Sequence, residues 1–430
     1  MWSASHHGWL IYENYFFMIN FEKHILSNGL KVLAHYDPST PMVTTNLLYD
    51  VGSKDEDPEA TGFAHLFEHL MFEGSENVPV FDTPVMLAGG ENNAFTNNDL
   101  TNYFITLPSG NLETALWLES DRLNGPDISD EKLKTQKSVV TEEYRQRYLN
   151  QPYGDLFLLL RPMAYKVHPY LWPTIGKDIS HIQNADKNSV TEFFKKHYRP
   201  SNAILSTAGN AKPELVFRLA EKWFNDIAPG TPHTRNLPQE PVQEGRREIT
   251  VHRSVPAAEL LMAFHIGGRT SRDFYVLDLL TDILSGCDSG RFPGILVREK
   301  ELFSEAEIYL SAEIDPGLVI VSGRLKEGVD IMEAEKAVTG ELIKVAGEYV
   351  TPAELDKARN RYESHQLMSF VNAGNKAFNL AYNELLGDAN GINTEKEKYM
   401  SVTAEEIMGC SANTFRESNC SIIHYLPEEK

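Results

Sequence analysis

The sequence contains few cysteines. Cys287, Cys410 and Cys420 are the three cysteines among 430 residues, and no two of them have Cys-x-x-Cys spacing. An odd number of widely spaced cysteines argues against a disulfide framework and against a cysteine-rich zinc module. The cysteine content therefore favours a reducing compartment, and we predict a cytoplasmic protein. A periplasmic location is the alternative if the natural start of translation differs.

The sequence is also poor in positive charge. Lys and Arg number 40 and Asp and Glu number 61, so the formal net charge is −21. Proteins that bind nucleic acid need clustered cations to contact phosphates, and peripheral proteins need them to bind anionic membranes. We therefore expect neither nucleic acid nor a membrane among the partners.

Long apolar runs are missing as well. The run from Leu156 to Leu160 has five residues, far short of the roughly 20 that cross a bilayer. Residues 1–17 are aromatic but contain no Lys or Arg, whereas a secretory signal begins with basic residues. Strand-like alternation begins at Met18. We predict that Met18 is the natural start and that residues 1–17 are a start-site extension.

The chain consists of two halves whose sequences resemble each other. Residues 229–246 carry four prolines and no apolar periodicity, which predicts an extended linker. Residues 128–133 resemble residues 350–355, and residues 202–205 resemble residues 419–422, at nearly equal separations. We predict a metal-binding catalytic domain over residues 18–228 and a second, homologous domain without metal over residues 247–430.

The apolar pattern predicts the fold class. Eight short, partly alternating segments are predicted strands: 30–36, 43–50, 101–107, 202–208, 248–252, 259–266, 306–313 and 317–325. Hairpin-like spacing favours mainly antiparallel pairing, and longer helical segments follow the strands. We therefore predict an α+β protein with two similar domains, each a mainly antiparallel sheet packed against helices.

The chemistry is predicted to reside in His65-Leu66-Phe67-Glu68-His69. Residues 62–73 have a helical pattern, so His65 and His69 lie one turn apart on the same face. Two imidazoles at that spacing can bind one zinc ion, and Glu68 lies beside them without being a ligand. The pattern His-x-x-Glu-His is a known zinc-peptidase signature, in which the glutamate takes a proton from metal-bound water.

Such a site needs a third ligand from another element. Glu119, Asp121, Glu142 and Glu143 are candidates for this ligand. Residues 129–149 have a helical pattern with Ser129 as N-cap and an apolar face that includes Leu133, Val139 and Val140. Glu143 continues that face, while Glu142 is rotated towards solvent. Geometry alone leaves open whether both are simply solvated helix acids.

Three stretches of the sequence resemble a known family. The stretches HLFEHLMFEGS, NNAFTNNDLTNYF and QKSVVTEEYRQRYLNQPYG are similar to the pitrilysin (insulinase) family of zinc metallopeptidases. That family includes mitochondrial processing peptidase and bacterial two-domain homologues. The resemblance implies that His65, His69 and Glu143 bind one zinc ion per chain and that Glu68 is the general base. Gln136 stands where the family has a further acid.

The resemblance also implies how peptides bind. Residues 91–96 are similar to the family's active-site edge strand, to which peptide substrates add as an extra strand. Asn92, Asn93, Ala94, Phe95 and Thr96 are therefore predicted substrate-binding residues. From the residues alone, the same polar segment could be a turn, because Gly89 and Gly90 precede it.

One departure from the family pattern concerns the second half. Fully active members supply an Arg and, seven residues later, a Tyr, which bind the substrate carbonyl. Arg298 matches the first position and is a predicted substrate-binding residue, but Glu305 stands at the second. We therefore predict a homo- or heterodimer in which a related partner subunit supplies the missing group. Tyr309, from a shifted position, is the alternative.

Two functions follow from this sequence. The first is a zinc endopeptidase that hydrolyses short or unfolded peptides. The alternative is a catalytically weak structural or assembly subunit of a pitrilysin-like heterodimer, since the family also contains inactive scaffold members. Such members usually lose the metal motif, whereas His65, Glu68, His69 and Glu143 are all present here.

Overall fold

A computed structural model describes residues 18–231 and 234–428 of the chain. The predicted start-site extension, residues 1–17, lies outside the described residues, as do positions 232 and 233 of the predicted linker. Over the described part, the chain forms two sheets with helices packed against them, which confirms the predicted α+β class.

The first half contains a six-stranded sheet. Its strands are β1 (Glu22–Ile25), β2 (Lys31–Tyr36), β3 (Met42–Tyr49), β4 (Glu91–Thr96), β5 (Thr101–Pro108) and β6 (Ala203–Gly209). Their order is β1-β2-β6-β3-β5-β4, and β2 with β6 is the parallel pair among otherwise antiparallel neighbours. Strand β4 therefore lies at one edge and pairs with β5 alone.

The second half repeats this arrangement with five strands. They are β7 (Arg247–Arg253), β8 (Glu259–His265), β9 (Phe303–Leu310), β10 (Leu318–Leu325) and β11 (Cys420–Pro427), in the order β7-β11-β8-β10-β9. Each of the eight predicted strands corresponds to an observed strand with ends shifted by a few residues. Strands β1, β4 and β11 were not among the eight predicted segments, although the family resemblance implied an edge strand at residues 91–96. Strand β1 was missed because its sequence, EKHI, is largely polar and exposed at the sheet edge.

The helices of the first half follow its strands. They are α1 (Phe63–Leu70), α2 (Asp82–Leu87), α3 (Leu112–Asn124), α4 (Asp130–Tyr144), α5 (Leu156–Ala164), α6 (Ile179–Asn184), α7 (Lys187–His197) and α8 (Pro213–Phe224). Helix α1 is shorter than the predicted segment 62–73. The predicted helix 129–149 is α4 followed directly by a π-helical turn, Arg145–Leu149.

Within the described part of the chain, the second half contributes six further helices. They are α9 (Arg272–Ser285), α10 (Ile331–Gly347), α11 (Pro352–Ser369), α12 (Ala373–Leu385), α13 (Gly391–Met400) and α14 (Ala404–Thr414). A π-helical segment, Phe292–Glu299, precedes β9.

Each half contributes helices that cover the sheet of the other. One face of the first sheet packs on helices of its own half, but the other face is covered by α12 and α13 of the second half, through Leu380 and Ile392. In return, α5 of the first half covers the second sheet through Leu160. The Ser206 hydroxyl on β6 donates a 2.7 Å hydrogen bond to the Ala377 carbonyl on α12. Each half therefore completes the core of the other.

Candidate metal centre

Helix α1 has a glycine at its N-cap position, and its first N–H groups are capped by a side chain from outside the helix. Gly62 has φ +91°, a left-handed conformation, and has no side chain with which to cap the helix. The two oxygens of the buried Glu56 carboxyl group accept the Gly62 N–H at 2.8 Å and the Ala64 N–H at 2.9 Å. Burial raises the pKa of Glu56 to about 8. Glu56 thus fixes the first turn of the helix that carries the His-x-x-Glu-His motif.

Helix α1 is buried on most of its faces, and its two histidines lie on one side. Phe63, Leu66, Phe67 and Leu70 are buried in the core of the first half. His65 and His69 lie one turn apart, with ring centroids 4.9 Å apart and ring planes at 87°. Apolar packing on the remaining faces therefore holds both imidazoles towards one side.

Helix α4 brings a carboxylate to that side. The Ser129 side chain caps the helix by accepting the Lys132 N–H, as predicted. Leu133 and Val140 are buried, but Val139 is 43% exposed, so its predicted place on the apolar face was wrong. Glu143 lies three residues after Val140, and its side chain is 17% exposed, whereas that of Glu142 is 54% exposed.

The structure brings His65, His69 and Glu143 together. Oε2 of Glu143 lies 3.7 Å from Nε2 of His65 and 3.4 Å from Nε2 of His69. One ligand atom from each of the three residues lies within 4.8 Å of the others. Ligand atoms about 2.0–2.1 Å from a tetrahedral zinc ion are roughly 3.3 Å apart. The two imidazoles and the carboxylate therefore fit a zinc ion in both donor chemistry and spacing.

The other candidate third ligands lie in different surroundings. Glu119 is fully buried and forms an ion pair with Arg122 at 2.6 Å. Asp121 accepts hydrogen bonds from Ser75 at 2.5 Å and from the Asn77 side chain at 2.6 Å. These acids are occupied by partners within the first half, and Glu142 faces solvent.

Electrostatics at the site suit metal binding and proton transfer. Burial lowers the pKa of His65 to about 4, so its imidazole is neutral near pH 7 and retains a lone pair for a metal. A hydrogen bond with His69 lowers the pKa of Glu143, and the positive charge of Arg147 adds to this effect. Burial raises the pKa of Glu68, which makes it a better proton acceptor; contact with the Thr96 side chain opposes this shift.

The predicted peptide-binding segment is an edge strand and not a turn. Residues 91–96 form β4, whose free side has no strand partner among the described residues. The Asn92 amide donates to Asp82 at 3.0 Å, and the Phe95 ring lies 5.4 Å from the Phe378 ring of α12. Asn93 and Ala94 lie between them, and Thr96 ends the strand beside Glu68.

Of the predicted second-half residues, Arg298 and Glu305 lie on the surface and Tyr309 does not. Arg298 is exposed on the π-helical segment, and no described hydrogen bond or ion pair joins it to His65, His69 or Glu143. The Glu305 side chain on β9 is 64% exposed and pairs with Arg324 at 2.9 Å. Burial raises the pKa of Tyr309, which packs in the core shared with α5.

Two residues near the site were missed from the sequence. Arg147 forms an ion pair with Glu143 at 2.8 Å, and Glu56 caps α1. Arg147 could have been found because it follows Glu143 by four residues, which is contact spacing on a helix. Glu56 precedes α1 in a segment without periodicity, so no local signal identifies it.

A search of the described helices for a membrane span found none that combines the necessary length with sufficient apolar character.

Comparison with known proteins places both halves among related sequences. Residues 31–176 match the family model described as Insulinase (Peptidase family M16), and residues 184–362 match the model described as Peptidase M16 inactive domain. The chain is 27% identical over 412 residues to the zinc protease PqqE of Helicobacter pylori, covering 94% of this chain and 92% of that protein.

Further relatives agree with this. The chain is 24% identical over 355 residues to a probable mitochondrial-processing peptidase subunit beta of Arabidopsis thaliana, covering 80% of this chain and 66% of that protein. Among solved structures, a protease from Helicobacter pylori superimposes with a TM-score of 0.89 at 26% identity, covering 95% of this chain and all of that one. A putative M16-like peptidase from Alicyclobacillus acidocaldarius has a TM-score of 0.81 at 20% identity, covering 95% and 98% of the two chains, and shares the fold.

Proposed function

Because the chain belongs to the insulinase (M16) family, we propose that it is a zinc-dependent endopeptidase that hydrolyses short or unfolded peptides. The observation that carries this proposal is the convergence of His65, His69 and Glu143. The Oε2 atom of Glu143 lies within 3.7 Å of both imidazole Nε2 atoms, and the neutral His65 is ready to bind a metal.

Each residue has a distinct role in the proposed reaction. His65, His69 and Glu143 hold zinc, which when bound supplies an acidified water and polarises the scissile carbonyl. Glu68 accepts the proton of the attacking water and passes it to the leaving amine. Its raised pKa favours this, since a stronger base takes the proton more readily.

The free side of β4 is the proposed peptide site. A peptide in extended conformation would pair with the backbone of residues 91–96 and lie beside Glu68 at the Thr96 end. Backbone hydrogen bonds do not distinguish between peptide side chains, so we expect loose specificity for the peptide sequence. It also requires an extended segment, which folded proteins do not offer.

We infer that a second subunit completes the site. Arg298 and Glu305 are exposed on the second half, and Glu305 as a carboxylate cannot donate to an oxyanion. A dimer with a related chain would supply the missing hydroxyl. The alternative is a catalytically weak assembly subunit, which Glu305 favours; the match of residues 184–362 to an inactive-domain model fits both functions, since the second half is expected to lack metal in either case.

Zinc analysis combined with digestion of an unstructured peptide library tests the proposal. We expect about one zinc ion per chain in wild type, loss of zinc in His65→Ala and Glu143→Gln, and retained zinc in Glu142→Gln, the exposed neighbour. Glu68→Gln should keep zinc and lose at least about 100-fold in kcat/KM. Wild-type protein without zinc would contradict the proposal and favour the assembly subunit.

The partner requirement has its own test. Glu305→Tyr restores the expected hydroxyl at an exposed position, and one oxyanion donor is worth about 10²–10³ in kcat. We expect the variant alone to cleave faster than wild type alone, and Glu307→Tyr, on the same exposed side of β9, to show no gain. Equal rates for wild type and Glu305→Tyr would contradict the need for this group.

A further inference from the structure

Glu143 divides its two carboxylate oxygens between different partners. Oε2 faces the imidazoles of His65 and His69, at 3.7 and 3.4 Å. Oε1 forms an ion pair with Nη1 of Arg147 at 2.8 Å. The carboxylate is therefore held from both sides, and its rotation about the terminal bond is restricted.

Arg147 reaches Glu143 through an unusual piece of backbone. It lies within the π-helical turn Arg145–Leu149, which directly extends α4. Such turns are rare and occur often at functional sites. The turn is held to the helix by Tyr148, whose ring lies 5.4 Å from that of Tyr144. The Arg147 side chain itself is 69% exposed, and its ion pair with Glu143 is the contact that directs it to the site.

The charge of Arg147 also acts beyond Glu143. It adds to the lowering of the pKa of His65 by burial and of Glu143 by the His69 hydrogen bond, and it opposes the rise in the pKa of Glu68 that burial causes, so it lies close enough to influence all three groups. None of the proposed roles of these residues uses Arg147.

We propose that Arg147 is a positioning residue for Glu143: it binds Oε1 and leaves Oε2 directed at the metal. This inference rests on the proposed zinc site. A group that orients a metal ligand from the outer shell typically contributes 10–100-fold to metal affinity. An exposed ion pair contributes little to folding, so the effect on zinc should be separable from the effect on stability.

If Arg147 positions Glu143, its removal should change zinc affinity in the opposite direction from that expected if Arg147 acts only through its charge. If Arg147 acted only through its charge, it would repel a dication, and its removal would strengthen zinc binding. If it positions Glu143, its removal weakens zinc binding despite the relief of repulsion. The sign of the change therefore distinguishes the two.

The experiment is a competition between zinc-stripped full-length chain and a chromogenic chelator of known zinc affinity. We expect Arg147→Gln to weaken zinc binding by about 10–100-fold and Arg147→Lys to lie between it and wild type, because lysine restores one charged contact. Arg145→Gln is the matched control, since Arg145 lies in the same turn and pairs with Glu142 at 3.6 Å. It should bind zinc as wild type does.

Urea midpoints of the zinc-free variants should match that of wild type, which separates positioning from misfolding. Zinc affinity in Arg147→Gln equal to or tighter than wild type would overturn the inference while leaving the proposed function intact. Wild-type chain that fails to bind zinc would overturn both.

Discussion

Glu56, which caps α1, should make the stability of the folded protein depend on pH. Glu56 is 6% exposed, and burial raises its pKa from 4.5 to about 8. In the unfolded chain the group ionises near pH 4.5, whereas in the folded chain it keeps its proton until about pH 8. Its contribution to stability is therefore complete below pH 4.5 and is lost as the pH rises through this window.

The magnitude follows from the size of the window. One pKa unit corresponds to about 1.4 kcal/mol, so between pH 5 and pH 8 wild type should lose roughly 3–4 kcal/mol through this group. Glu56→Gln removes the ionisable group while keeping one acceptor for the helix N–H groups. At pH 5 this variant should lose about 1–3 kcal/mol of folding stability, because one of the two hydrogen-bond acceptors is gone. It should also lack the loss of stability between pH 5 and pH 8 that Glu56 causes in wild type.

Urea unfolding of zinc-free protein at pH 5, 6, 7 and 8 measures the difference. Trp172 is a local reporter, because its indole N–H donates to the Ser53 carbonyl at 3.0 Å, three residues before Glu56. Glu59→Gln is the control, since the Glu59 side chain is 86% exposed in the same segment. If wild type and Glu56→Gln lose stability in parallel from pH 5 to pH 8, the reasoning about Glu56 is refuted.

Three further substitutions test the architecture. Gly62→Ala forces a side chain into a left-handed conformation with its Cβ 2.7 Å from a backbone carbonyl oxygen, so it should cost at least about 1–2 kcal/mol and reduce zinc per chain. Lys54→Met leaves the buried Asp99 without the cation now 2.7 Å away, and a loss of about 3–5 kcal/mol in urea unfolding is expected. Leu380→Ala should cost about 2–5 kcal/mol by the same measurement, because its side chain is fully buried between the halves. The 75% exposed Met368 gives the control, since Met368→Ala should change the midpoint little; an equal loss in both variants would contradict the burial argument.

The sequence predicted the parts of the site that depend on local geometry. His65 and His69 share a helix face by spacing alone, and Glu143 was preferred over Glu142 from the apolar face of α4, although Val139 was wrongly included in that face. The structure brings these residues together, and their roles as zinc ligands stay a prediction. Strand positions followed from apolar alternation for the same local reason.

Other features could not be predicted because they depend on contacts between distant segments. Glu56 reaches α1 from an irregular segment whose course is set by the surrounding fold. The exchange of α5 and α12 joins residues far apart in sequence, and their apolar faces look like those of any helix that packs within its own domain. Nothing in an amphipathic pattern identifies the surface that will cover it.

That exchange has a consequence for any attempt to divide the protein. A polypeptide ending at the proline-rich segment would retain α5 but lack α12, so the side of its sheet bearing Leu33 and Leu48 would meet water. The complementary fragment would expose Leu261 and Ile320 for the same reason. Each fragment alone would tend to aggregate, while the two produced together would reassemble by returning each helix to its sheet.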